Sequence, residues 1–309
     1  MLTQPNVPIP ETASDDQRLG QLISRGQAES ARKPQVFIVG FPTDEGVKRN
    51  HGRAGAAQGP DAVRAELYRM TPDASTPVRW RGLLASTLDL GNLQISSDLE
   101  QDQQALGAAI APMIADGAIV IVIGGGHETA YGHFLGYSRA GVRVQILNWD
   151  AHPDVREPVD GKGHSGSPFR QALLDPQGAC QGYTVAGLNP LSVAQAHVDF
   201  IASRGGRVLW GPSLDDEAVC SLYATYFVPT MVSFDLDAVD QAHAPGVSAP
   251  AVGGLTPAIW LKAAFEAGRC RSVRSIDVVE TNPLLDRDGQ TARLAAATIW
   301  WFLKGLLER

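Results

Sequence analysis

Val142-Arg-Val-Gln-Ile-Leu-Asn-Trp149 runs straight into Asp150-Ala151-His152-Pro153-Asp154, and this junction decides the fold. The first half is a largely apolar, strand-like run, and the second is a cluster of acids around a histidine. The pattern recurs. Thr230 to Phe234 delivers Asp235-Leu236-Asp237, Ala118 to Ile123 leads into Gly124-Gly125-Gly126-His127-Glu128, and Val273 to Val279 leads into Glu280. Apolar runs without alternation are the signature of strands covered on both faces, as in a parallel sheet. Ligands in such sheets bind beyond the carboxyl ends of the strands. Four strands ending in polar residues therefore point to one site.

Between these runs lie helical patterns, so strand and helix alternate. Helices are expected from Pro60 to about Met70, Asp98 to Ala115, Thr129 to Ala140, Ser192 to Ser203, Pro257 to Ala267 and Thr291 to Leu307. Further strands are expected at Val36–Gly40, Thr87–Leu90, Tyr183–Ala186 and Arg207–Trp210. The alternation implies a three-layer αβα fold around a parallel sheet of seven to eight strands. Residues 1–33 are polar, carry prolines at 5, 8 and 10, and read as an N-terminal arm with a helix around Asp16 to Ile23; residues 34–309 read as one catalytic domain.

The net charge of −7 and the pI near 5.5 argue against a nucleic-acid surface. No apolar stretch is long enough to span a bilayer, and residues 1–20 lack the layout of a signal peptide, so a cytoplasmic protein is expected. Cys180, Cys220 and Cys270 are far apart without metal-type spacing, and read as reduced, buried small hydrophobes.

In an extended chain, residues two apart share a face. Asp150, His152 and Asp154 would then converge, as would Asp235 and Asp237. Four carboxylates in one place require positive charge, and a pair of divalent cations is its simplest source. With His127, the candidate ligands are His127, Asp150, His152, Asp154, Asp235 and Asp237. Oxygen-rich, with two imidazoles and no thiol, the set suits an ion such as Mn²⁺ rather than a structural zinc. Two ions roughly 3.5 Å apart can share carboxylates and a water that ionises near neutral pH.

Gly125-Gly126-His127-Glu128, Asp150 to Asp154, and Ser233-Phe-Asp-Leu-Asp-Ala-Val-Asp240 followed by Ala244-Pro245-Gly246 resemble the ureohydrolase family of arginases and agmatinases. The resemblance spans roughly residues 34–305. It implies an arginase-like α/β fold and two Mn²⁺ per chain, with His127 and Asp154 on one ion, His152 and Asp237 on the other, and Asp150 and Asp235 bridging. It also suggests a trimer or hexamer.

Four stretches resemble the formimidoylglutamase branch: Thr43–Asn50 with Gly52–Pro60, the Gly126-His127-Glu128 variant, Ser165–Gln171, and Ala242–Pro250. That branch implies cleavage of N-formimidoyl-L-glutamate to L-glutamate and formamide, a step of histidine degradation, by hydroxide attack on the formimidoyl carbon. Other readings are a ureohydrolase that releases urea from a guanidino or amidino acid, and a non-catalytic metal-binding protein. Glu280 would bind the cationic formimidoyl nitrogens. Asp154 or a water would protonate the departing nitrogen. Arginases carry a proton-shuttling His where this chain has Ser165, which leaves the neighbouring His164 as the candidate. An acidic substrate needs cations in its pocket, and Arg156 is the first choice, with Arg53, Asn50, Ser165 and Asn189 as further contacts. The expected partner is thus a small acidic amidine.

Overall fold

Each apolar run becomes a strand whose side chains divide alternately between two cores. In the strand Ile119–Gly124, Ile119, Ile121 and Ile123 enter one core while Val120 and Val122 enter the other. This period of two inside a continuous apolar run is what buries both faces. The computed structural model describes residues 1–26 and 35–309. The expected boundary between arm and domain, at 33/34, lies outside the described residues.

The elements in chain order are β1 (Leu2–Thr3), α1 (Leu19–Leu22), β2 (Ser24–Arg25), β3 (Val36–Phe41), α2 (Glu45–Arg49), α3 (Gly59–Arg69), α4 (Pro77–Leu84), β4 (Thr87–Leu93), α5 (Leu99–Ala115), β5 (Ile119–Gly124), α6 (Thr129–Ala140), β6 (Val144–Trp149), α7 (Pro168–Leu173), β7 (Cys180–Leu188), α8 (Gln195–Ser203), β8 (Arg207–Trp210), α9 (Asp216–Tyr223), β9 (Thr230–Asp235), α10 (Pro257–Arg269), β10 (Val273–Val279) and α11 (Gln290–Leu306). The sheet runs β1-β4-β3-β5-β10-β9-β6-β7-β8, with β2 also on β4. From β4 to β8 every pairing is parallel. The parallel body is the expected one. The two-residue strands β1 and β2 extend it at the β4 edge, β1 antiparallel and β2 parallel, and are too short to carry an apolar run.

One helical layer takes in Leu19, Leu67, Trp80, Leu222, Trp260 and Phe302, from α1, α3, α4, α9, α10 and α11. The other takes in Leu106, Phe134, Phe169 and Ile201, from α5 to α8. Local signals set the helix starts. Asp98 caps α5 by accepting from Gln101 N at 3.0 Å, and Thr256 caps α10 ahead of Pro257. α10 and α11 touch through Gly268 and Gly305; a Cβ on Gly268 would overlap Phe302 O.

No helix among the described residues is long and apolar enough to cross a membrane. The three cysteines are unpaired as expected, but none is fully buried: Cys180 and Cys270 are half-buried, and Cys220 is exposed because it lies off the buried face of α9.

The chain builds β3 and β4 on one side, crosses to β6, β7 and β8 on the other, then returns to place β9 and β10 in the middle. The consequence is that β5, β10, β9 and β6 are consecutive neighbours. These are the four strands whose carboxyl ends carry His127, Glu280, Asp235 and Asp150.

Candidate metal centre

β5 leaves the sheet through Gly125 and Gly126, whose N–H groups donate to Phe41 O and Thr43 O, both at 2.9 Å. A Cβ on Gly125 would collide with Thr43 O, so only glycine lets this loop fold back and turn His127 inward. At the end of β6, Asp150 Oδ1 accepts from His152 N at 2.6 Å, and at the end of β9, Asp235 Oδ1 accepts from Asp237 N at 2.9 Å. Each is an Asp side chain bonding the backbone two residues on. The acids therefore converge because the chain turns, not because it stays extended. Asp237 lies in a 3₁₀ turn over Leu236–Ala238, and Asp154 has φ 44. Glu280, with φ 65, is also left-handed. Non-glycine residues held there cost of order 1–3 kcal/mol each and gather at functional sites.

The six expected ligands form two groups that meet at Asp150. His127, Asp150, Asp154 and Asp235 make one; Asp150, His152 and Asp237 make the other, so Asp150 alone is shared and Asp235, expected as a second bridge, falls with the His127 group. His127 Nδ1 lies 2.9 Å from Asp154 Oδ2, 2.8 Å from Asp235 Oδ2 and 3.3 Å from Asp150 Oδ2. His152 Nδ1 lies 3.0 Å from Asp237 Oδ2 and 3.4 Å from Asp150 Oδ1. His127 Nδ1 and Asp237 Oδ1 are buried with no hydrogen-bond partner. Donor atoms crowded this closely, yet unsatisfied by one another, fit a shared cation. Oxygen and imidazole donors without thiol suit a hard or borderline divalent ion.

The electrostatics agree. Burial opposes charge on His127, yet Asp235, Asp150 and Asp154 outweigh it and hold its pKa well above the ordinary value. Asp237, with burial in opposition, pushes His152 up to about 12. Burial and then Asp237 raise Asp235 well above the carboxylate range, while burial drives Asp237 itself up to about 6. Without a cation, the site holds protons in its place.

Glu280 Oε1 accepts from His127 N at 2.9 Å, and Oε2 is buried without a partner. Burial, then Glu128 and Asp237, push Glu280 up to about 8. Glu128 Oε1 accepts from Gly46 N at 2.7 Å.

A cavity of about 300 Å³ opens onto the centre, lined among others by Asn50, Arg53, Arg156, Ser165 and Glu280. Arg156 Nη1 donates to Asn50 Oδ1 at 3.0 Å, and Asn50 Nδ2 donates to Ser165 Oγ at 3.1 Å. Arg170, by contrast, pairs with Glu157 at 2.5 Å. Arg53 lines the cavity while its Nε and Nη2 donate to Ser248 O and Val247 O at 2.9 and 2.6 Å.

Asn189 and His164 are not brought to the cavity. Asn189 Nδ2 donates to Val252 O at 2.9 Å, bracing two loops. His164 is buried, with Nδ1 accepting from Gly166 N at 3.1 Å and Nε2 at 3.0 Å from Glu157 O, which leaves neither ring nitrogen free to shuttle protons. His51 and Ser248 line the cavity without having been singled out. Ser248 lies within the Ala242–Pro250 stretch and His51 between Asn50 and Gly52, which was their only signal.

Comparison with known proteins agrees with this arrangement. The model of the arginase family matches residues 34–304. A formimidoylglutamase of Nocardia farcinica is 38% identical, covering 88% of this chain and 87% of that protein. One of Klebsiella pneumoniae is 35% identical, covering 92% and 90%. The crystal structure of Trypanosoma cruzi formiminoglutamase with Mn²⁺ superposes with a TM-score of 0.85 at 30% identity, covering 96% of this chain and all of that one. The chain, with its two acid–histidine groups at the ends of four adjacent parallel strands, belongs to the arginase family.

Proposed function

We propose that this protein is a formimidoylglutamase, hydrolysing N-formimidoyl-L-glutamate with one water to L-glutamate and formamide at a dinuclear manganese centre. One observation carries the reading. Two donor groups joined through Asp150 open onto a cavity with the unpartnered carboxyl oxygen of Glu280 beside the centre and the guanidinium of Arg156 on its wall. An amidine with an acidic tail has the complementary polarity. The names of the relatives, at 35–38% identity over most of the chain, support the same substrate.

His127, Asp150, Asp154 and Asp235 would hold one ion, and Asp150, His152 and Asp237 the other. A bound pair of this kind supplies a water that ionises near neutral pH and charge to stabilise the transition state. Glu280 Oε2 accepts from the formimidoyl nitrogens, orienting the carbon for attack. A cationic amidinium against it draws Glu280 toward its ionised form. Arg156, held by Asn50, grips a substrate carboxylate through parallel N–H groups. With both ring nitrogens of His164 engaged, Asp154 or a water would give the departing glutamate nitrogen its proton.

The test is product analysis after manganese loading. Formamide and glutamate released from N-formimidoyl-L-glutamate bear the proposal out. Rapid urea release from a guanidino acid, with the formimidoyl compound untouched, overturns it.

A further inference from the structure

Behind the metal centre, six side chains form one unbroken polar chain. His127 Nε2 lies 2.9 Å from Ser233 Oγ, which donates to Asp277 Oδ1 at 2.5 Å. Asp277 Oδ2 lies 2.7 Å from His133 Nδ1, His133 Nε2 lies 2.6 Å from Ser275 Oγ, and Ser275 Oγ lies 2.6 Å from Tyr137 Oη. None of the six is more than 1% exposed. Ser233 comes from β9, Ser275 and Asp277 from β10, and His133 and Tyr137 from α6, one turn apart.

Proton accounting gives the chain a direction. An ionised carboxylate only accepts. Asp277 therefore takes the Ser233 hydroxyl proton on one oxygen and the His133 Nδ1 proton on the other. With its only proton committed, Ser233 Oγ faces His127 as an acceptor, so His127 carries its proton on Nε2. Nδ1, the atom aimed at Asp150, Asp154 and Asp235, is thereby the ring nitrogen left for an ion. At the far end, His133 Nε2 is an acceptor for Ser275, which accepts in turn from Tyr137. Burial holds the Tyr137 hydroxyl above its ordinary range, which keeps it a donor. One arrangement of protons thus satisfies every member. Such fully satisfied networks fix orientation, and a carboxylate behind a ligating histidine selects its tautomer.

We propose that His133 is a positioning residue of the metal centre: through Asp277 and Ser233 it locks His127 in the tautomer that frees Nδ1, and so sets the affinity of the ion held by the His127 group but not of the ion held by the His152 group. The inference rests on the dinuclear reading above. His133 touches none of the expected ligands, and its effect is transmitted rather than direct.

The test is calorimetric titration of the metal-stripped full chain with Mn²⁺, comparing wild type with His133→Leu, His133→Asn and Ser275→Ala. His133→Leu weakens one of two sites about 10–100-fold and leaves the other within about threefold. His133→Asn, whose amide can still donate to Asp277, recovers most of the loss. Ser275→Ala, a smaller change that removes a far link, weakens the same site by less. Two unchanged sites, two sites that weaken together, or a His133→Asn no better than His133→Leu overturn the inference. A wild-type chain binding fewer than two Mn²⁺ overturns the dinuclear reading instead.

Discussion

Acidifying from about pH 9 to about pH 7 should weaken Mn²⁺ binding at the His152 group by about a hundredfold, because a proton competes for the same imidazole. In the metal-free protein Asp237, against burial, pushes His152 up to about 12, so the ring is protonated across this range. Ligation requires it neutral. Each fall of one pH unit therefore costs about tenfold in affinity, or about 1.4 kcal/mol, for that one proton. Asp237, driven up to about 6 chiefly by burial, is ionised above neutrality and adds no slope there; below about pH 6 it takes up a second competing proton and the dependence steepens. The sign for the metal-free fold is the reverse. The raised His152 pKa stabilises it fully below the ordinary histidine value, and that stability is lost as pH rises through about 12. Manganese titrations at the two pH values, each in buffers of different ionisation enthalpy, give both the affinity and the number of protons released. His152→Ala should release one proton fewer than wild type. Equal affinity at both pH values, or equal proton release by the variant, would refute the competition.

Asp150→Asn weakens both ions together, since Asp150 faces both histidines, and metal analysis after gel filtration should find less than one ion retained. Glu280→Gln keeps the shape and removes the charge, lowering kcat/KM by about ten- to a hundredfold, the worth of one charge-assisted hydrogen bond, in steady-state assays with formamide detection. Arg156→Ala raises KM with kcat nearly kept if the guanidinium grips ground state and transition state alike; an unchanged KM removes it from the carboxylate site.

The parts of this molecule that could be read from its sequence are those where a short-range rule governs. Ile119 to Ile123 and Val142 to Trp149 announce buried strands because both faces are covered, and Thr129–Ala140 announces its helix by periodicity. β1 and β2 carry no such pattern, and α2 and α7, of five and six residues, are too short to establish a period. The six expected ligands come together, yet through Asp side chains that fold the backbone back, which the assumption of an extended chain did not anticipate. His164 and Asn189 fail to reach the cavity because loop direction, unlike strand alternation, is set by tertiary partners such as Glu157 O and Val252 O. Ser233, Ser275 and Asp277 left a trace: polar residues inside otherwise apolar strands, two apart in β10 and therefore on one face.

The central claim is that Asp150 joins two ion sites at the ends of β5, β9 and β6. Crystals of the full chain grown with Mn²⁺ and measured at the manganese absorption edge test it directly. The account predicts two anomalous peaks roughly 3.5 Å apart, one among His127, Asp154 and Asp235 and one among His152 and Asp237, with Asp150 between them. A single peak, or density away from these side chains, would contradict it.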